Sequence, residues 1–190
     1  MSHNPNNHTL LVGVNTEEHK LRIRVGEVVV TGDVQGVTHS CQRLADMVEG
    51  PDTDVVILAS DDFYPPKNWD RWIIDTIEDP SAILVADGYY RNEAVTIPIM
   101  TMGCLKRLNR VIYHTSYVHN YSDQELYYNL LELDLLVDLR DKSPCFEHRN
   151  WANKKRRADE VDRPLMDSAK DDGINWNRRM KLTLQERLLR

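Results

Sequence analysis

The stretch "VVILASDDFYPPKNWD" (55–70) carries a purely apolar run straight into two adjacent aspartates, an aromatic pair, two prolines and a tryptophan. The run 54–59 is apolar on both faces, which predicts a central strand of a covered, largely parallel sheet. Two carboxylates at the mouth of such a strand repel each other unless something positive joins them. Oxygen donors suit Mg²⁺ or Mn²⁺, and Mg²⁺ is commonly held by one or two carboxylates together with substrate phosphates. Asp61 and Asp62 are therefore candidate cation-site residues, with a nucleotide diphosphate as the natural third party. The competing reading is a plain turn in which Asp-Asp caps the helix that follows.

Outward from this stretch, strand and helix alternate. "TLLVGV" (9–14) and "EVVVTG" (27–32) are short, β-branched and closed by turn residues, which predicts strands. Val37, Cys41, Leu44, Ala45 and Val48 fall at helical spacing, and Gly50-Pro51 ends that helix. Residues 68–79 predict a helix with Trp69, Trp72, Ile73 and Ile77 on one side. Strands follow at 81–88 and 93–101, the second with Pro98 marking an edge or bend. A short helix is expected at 102–109. A longer one at 122–136 opens on a capping box of Ser122 and Glu125, and a last strand lies within 135–148. The class is α/β, and in such sheets ligands sit beyond the carboxyl ends of strands. Asp61 and Asp62 stand at that place.

The totals narrow the classes. The 190 residues suffice for one full core, and no apolar run is long enough to cross a bilayer. The start, "MSHNPNNH", is polar, is expected to be mobile, and lacks the pattern of a signal peptide. Cys41, Cys104 and Cys145 are odd in number and scattered, which fits a reducing cytoplasm rather than a disulfide framework. The net charge of −6 divides unevenly: residues 1–148 hold 12 basic and 23 acidic side chains, residues 149–190 hold 12 and 7. The total argues against a surface built wholly to grip nucleic acid. "NKKRRADE" (153–160) reads first as a solvated helix face and second as a phosphate-contacting lid. Cys145 and His148 have metal-like spacing, but no second Cys/His pair accompanies them to make a zinc site. Tyr89, Tyr90, Trp69 and Trp72 are candidates for stacking on a sugar, although tryptophans at helical spacing more often serve a core.

"ASDDFYPPKNWD" resembles the metal-binding segment of nucleotide-sugar-dependent glycosyltransferases of the family 2, GT-A type, in which a DxD-like motif ends a strand. The resemblance continues in order over roughly residues 27 to 181. "GVTHSCQRLADMVEGPDTD" is similar to the helix that precedes the family's DxD strand, with Gln42 where asparagine is more usual. "YSDQELYYNLLELDLLV" resembles the "E-D-x-E-L" helix whose aspartate is the base of inverting members, which implies Asp123, with Ser122 replacing the acid before it. "FEHRNW" resembles the segment whose histidine completes the metal site, which implies His148; "INWNRRMKL" resembles a common closing pattern.

The resemblance implies a single-domain GT-A (Rossmann-like) fold, a mixed and mostly parallel sheet flanked by helices. A mobile start (1–8) precedes a catalytic core (9–150) and a basic helical tail (151–190) placed as a lid. It implies Mn²⁺ or Mg²⁺ at Asp61, Asp62 and His148, a nucleotide-diphosphate sugar as donor contacted by Asp61, Gln42 and Arg43, and Asp123 as base. The acceptor is a hydroxyl of a glycan, lipid, protein or modified nucleic-acid base. An inverting transfer is an in-line displacement, so one carboxylate takes the acceptor's proton while a cation stabilises the leaving diphosphate.

Two departures from the family are visible. "TLLVGVNTEE" looks like the family's second strand, so part of the donor pocket is abbreviated, and Ala59 and Ser60 stand where the first DxD acid is expected. A second subunit of a homo-oligomer or another segment closes the pocket, or donor binding is weak, or the chain is a degenerate relative. Two other function classes remain beside the transferase: a non-catalytic GT-A-like binding or assembly module, and a nucleotidyltransferase. The last is disfavoured because "VTGDVQGV" (30–37) has two glycines and no lysine.

Overall fold

The computed structural model describes residues 9–14, 27–30, 37–60, 62–88, 93–149 and 163–189. Asp61, Tyr89, Tyr90, the polar start 1–8 and the "NKKRRADE" segment lie outside the described residues.

Strands β1 (Leu11–Val14) and β2 (Glu27–Val30) form a parallel pair. Helix α1 (Val37–Met47) follows, then β3 (Val55–Ile57), the two-residue β4 (Phe63–Tyr64) and helix α2 (Trp69–Thr76). Next come β5 (Ala82–Leu84), β6 (Ile99–Thr101), α3 (Met102–Arg107) and α4 (Ser122–Glu132). The chain continues through β7 (Leu136–Asp138), the two-residue β8 (Glu147–His148), α5 (Arg163–Arg179) and α6 (Leu184–Arg187).

Four strands make one sheet in the order β3-β6-β5-β7. β6 is antiparallel to both neighbours and β7 is parallel to β5, so β3, β5 and β7 share one direction and β6 runs against them. The sheet is mixed. β6 begins at Ile99, just after Pro98, and sits inside the sheet rather than at its edge; the expected strand over 93–101 is confined to its last three residues. Pro98 lacks an N–H but still serves the ladder through its carbonyl, which accepts from Leu58 N at 2.9 Å. β3, expected at the centre, ends the four-strand order among the described residues.

Alternation along the strands splits the core in two. Ala82, Leu84 and Met100 face a cluster with Ala45 of α1, Leu105 of α3, Leu126 and Leu130 of α4, and Leu188 after α6. Ile83 and Ile99 face the other way, onto Ile73 of α2 and Phe146, with Trp69, Trp72 and Ile77 packed beside them. Both tryptophans therefore serve this core; the Trp72 and Phe146 ring centroids are 6.3 Å apart. Helices thus flank both faces of the sheet in a single-domain mixed α/β fold. Leu184 and Leu188 pack in the same core as the sheet, so the chain beyond residue 163 is attached to the body. No described helix is long and apolar enough to cross a membrane.

The start of α4 differs from the expected capping box. Tyr121, not Ser122, occupies the cap position, with φ 67° and no side-chain cap. The Ser122 hydroxyl instead donates back to the His119 carbonyl at 3.1 Å, and Glu125 is buried in an ion pair with Arg179.

Ile99 is fully buried at the middle of the sheet, so Ile99→Ala should lower unfolding free energy by about 2–5 kcal/mol, read from urea midpoints at unchanged slope. Ile74→Ala, on the exposed side of α2, should stay within about 0.5 kcal/mol of the parent.

Candidate functional site

β4 and β8 form a two-stranded antiparallel ribbon in which Phe63 lies opposite His148 and Tyr64 opposite Glu147. The ladder is extended by Arg149 N, which donates to the Asp62 carbonyl at 2.8 Å. The other side of the ribbon is anchored to the end of β5: Phe146 N donates to Ala86 O at 2.7 Å and His148 N to Asp87 O at 3.0 Å. The Asp87 carboxylate accepts from Thr96 Oγ1, so the chain that holds His148 is itself braced. β3 and β5 run in the same direction. The ribbon therefore lies past the carboxyl ends of two parallel strands.

This framework brings together two of the residues singled out in the sequence. His148 Nε2 is 3.2 Å from Asp62 Oδ2, with side-chain exposures of 13% and 20%. Ser60 Oγ also donates to Asp62 Oδ1. The imidazole stacks on the Phe63 ring at 4.0 Å between centroids, which fixes its plane. Burial pushes the Asp62 carboxyl up, but the hydrogen bonds from His148 and Ser60 and the charge of His148 more than offset it, leaving the group below its usual range. On the opposite side of the ribbon the Arg149 guanidinium lies 4.0 Å from the Tyr64 ring centroid and pairs with Glu147 at 2.8 Å. By strand alternation that face points away from His148.

Of the two groups, the carboxylate is the donor that suits Mg²⁺ or Mn²⁺, while an imidazole nitrogen suits Zn²⁺ and other transition metals. Among the described residues no group of three or more His, Cys, Asp or Glu side chains is arranged to hold a metal. The pair is closed by its own hydrogen bond; a cation would have to replace the proton between the two groups and take its remaining donors from substrate oxygens and water. Asp61, the third expected ligand, lies outside the described residues.

Asp123 occupies the first turn of α4, half-buried. Its carbonyl accepts from Val95 N at 3.0 Å, and Gln124 N donates to its Oδ1 at 3.0 Å. The hydroxyl of Tyr113, raised first by burial, is raised further by the charge of Asp123. Gln42 is 6% exposed and its carboxamide is fully engaged. It donates to Asp46 Oδ1 at 3.1 Å and Arg110 O at 2.6 Å, and accepts from Ile112 N at 3.1 Å. It thus ties α1 to the segment 110–112 and walls a cavity of about 160 Å³ shared with Asp46, Val111, Tyr113, His114 and Thr115. Arg43 is exposed on α1.

Sequence reasoning missed Ser60 and Phe63 as partners of the Asp62–His148 pair. It also missed Asp87, whose carbonyl sets His148. The strands responsible are two residues long, too short for a periodic signal. Compared with family models, with curated proteins and with solved structures, the chain matches none.

Because the Asp62 carboxyl is depressed, its pairing stabilises the fold above the ordinary carboxylate range and is lost as pH falls through the lowered folded-state value. The stability advantage of the wild type over Asp62→Asn should therefore shrink between pH 6 and pH 3 in urea titrations. A difference that is constant over that interval would contradict the pairing.

Proposed function

We propose that the protein is a metal-dependent glycosyltransferase of GT-A type that moves a sugar from a nucleotide-diphosphate donor to a hydroxyl acceptor, with inversion. The observation that carries this reading is the convergence of Asp62 and His148 at 3.2 Å beyond the ends of β3 and β5. Asp62 was nominated from the acidic pair at the strand's end, and His148 from its place in the family's order of motifs. The ribbon holds the two side chains side by side, and that proximity is what supports the reading. The mixed sheet, with one reversed strand among three aligned ones, is compatible with the GT-A expectation.

In this mechanism Asp62 and His148 would hold Mn²⁺ or Mg²⁺, and the cation when bound would neutralise the diphosphate as it leaves. Phe63 keeps the imidazole in plane, and Ser60 together with the Arg149 backbone keeps Asp62 in place. Asp123 takes the proton from the acceptor hydroxyl while that oxygen attacks the anomeric carbon from the face opposite the diphosphate.

Thermal unfolding in the presence of UDP-glucose, GDP-mannose and dTDP-glucose, each with and without Mn²⁺, tests the donor site. A donor at 100 times its dissociation constant should add about 2.7 kcal/mol to stability. The gain should require Mn²⁺ and vanish in Asp62→Ala and His148→Ala. Asp123→Asn should keep the gain and lose transfer. A Mn²⁺-dependent gain with no transfer to any acceptor would favour the non-catalytic module instead, and a gain that persists in Asp62→Ala would remove the proposed site.

A further inference from the structure

The residue before Ser122 and Asp123 is held in an unusual state. Tyr121 has φ 67°, a left-handed conformation that costs a bulky residue energy and persists only where its surroundings over-determine it. The surroundings come from one face of α5. Asp172, 2% exposed, accepts from three consecutive backbone N–H groups, Val118 at 2.9 Å, His119 at 3.0 Å and Asn120 at 2.8 Å. Gly173 lies so close that a Cβ there would meet the Tyr121 ring at 3.4 Å, and the Trp176 ring stands 5.9 Å from it between centroids.

One turn further, Arg179 grips Glu125 from both sides of the carboxylate, Nε to Oε2 at 2.8 Å and Nη2 to Oε1 at 2.7 Å. Tyr117 donates to the same carboxylate at 2.6 Å, and Arg179 Nη2 also donates to Arg187 O at 2.7 Å. Glu125 and Arg179 are 2% and 4% exposed. A buried pair of this kind is weak evidence for stability, since apolar residues of similar volume often do as well or better. Its rigid geometry is the more informative property. Asp172 and Arg179 sit at i and i+7 on one helix and fix the chain before and after Asp123.

We infer that α5 acts as a splint that positions Asp123, through Asp172 and Arg179. This rests on the assignment of Asp123 as the base. Asp172 and Arg179 are positioning residues: they touch the backbone and Glu125, and they set where the Asp123 carboxylate points.

The test uses the full chain and Mn²⁺-dependent release of nucleoside diphosphate from UDP-glucose, GDP-mannose and dTDP-glucose, with water as acceptor. Hydrogen exchange of the amides 117–125 is followed in parallel. Arg179→Lys keeps the charge and removes the fork; Asp172→Asn keeps the shape and removes the charge. Both should accelerate exchange over 117–125 and lower kcat roughly 100-fold with KM for the donor within about twofold, since small displacements of a reacting group cost that much. The paired variant Glu125→Gln with Arg179→Met should recover melting temperature without recovering kcat, which a merely structural role would not produce. If Asp123→Asn is inactive while Arg179→Lys and Asp172→Asn turn over at the wild-type rate, this inference fails and the base assignment stands. If the wild type releases diphosphate from none of the donors, both fall. Unchanged exchange over 117–125 in the two single variants would overturn the splint on its own.

Discussion

The pairing of β4 with β8 is the constraint on which the candidate site depends. Two residues on each strand, Phe63 with His148 and Tyr64 with Glu147, set the register, and Asp62, in the turn just before β4, brings its carboxylate to His148. A slip of one residue would turn His148 to the face now occupied by Arg149 and Glu147. Such a short ribbon has little intrinsic stability, so it needs its anchors: Phe146 in the core against Ile73 and Ile83, and the backbone bonds to Ala86 and Asp87 at the end of β5. The site is thus tied directly to the sheet's second core. Changes around Phe146 are felt by His148 through two residues of backbone.

A second set of contacts serves the opposite core. The segment 116–125 crosses from the wall of the 160 Å³ cavity to the start of α4, and it is fastened to α5 by buried polar groups beside the Tyr121–Trp176 ring contact. α6 repeats the arrangement, with Arg187 donating to Asn129 Oδ1 at 2.8 Å and pairing with Glu132. Polar clamps of this density cost desolvation and return geometry. They link the chain beyond residue 163 to the helix that carries Asp123, so the C-terminal helices belong to the working body of the protein.

Much of this was legible in the sequence. The apolar run before Asp61, the Trp69–Ile77 stripe and the Ala45 face of α1 gave their elements directly, because a buried face imposes its period on the residue pattern. Where the sequence misled, tertiary structure overrode a local signal. Pro98 suggested an edge or a bend; the chain does bend at residues 96–97, but the proline's carbonyl bonds to Leu58 and β6 begins one residue later inside the sheet, not at its edge. Ser122 and Glu125 had capping-box spacing, yet Glu125 is taken by Arg179 and Ser122 turns back to His119. Asp62 and His148 were both singled out in the sequence, the first from the acidic pair and the second from a resemblance. Their supports, Ser60, Phe63 and the Asp87 carbonyl, were not, because two-residue strands and backbone acceptors leave no trace in composition or spacing.

The central claim is that Asp62 and His148 form a cation site completed by a diphosphate. Crystals grown with Mn²⁺ and UDP, with anomalous scattering collected at the manganese edge, test it most directly. The account predicts one strong anomalous peak within coordination distance of both Asp62 and His148, with diphosphate oxygens on its other side. A peak elsewhere, or UDP bound with no manganese between Asp62 and His148, would contradict it.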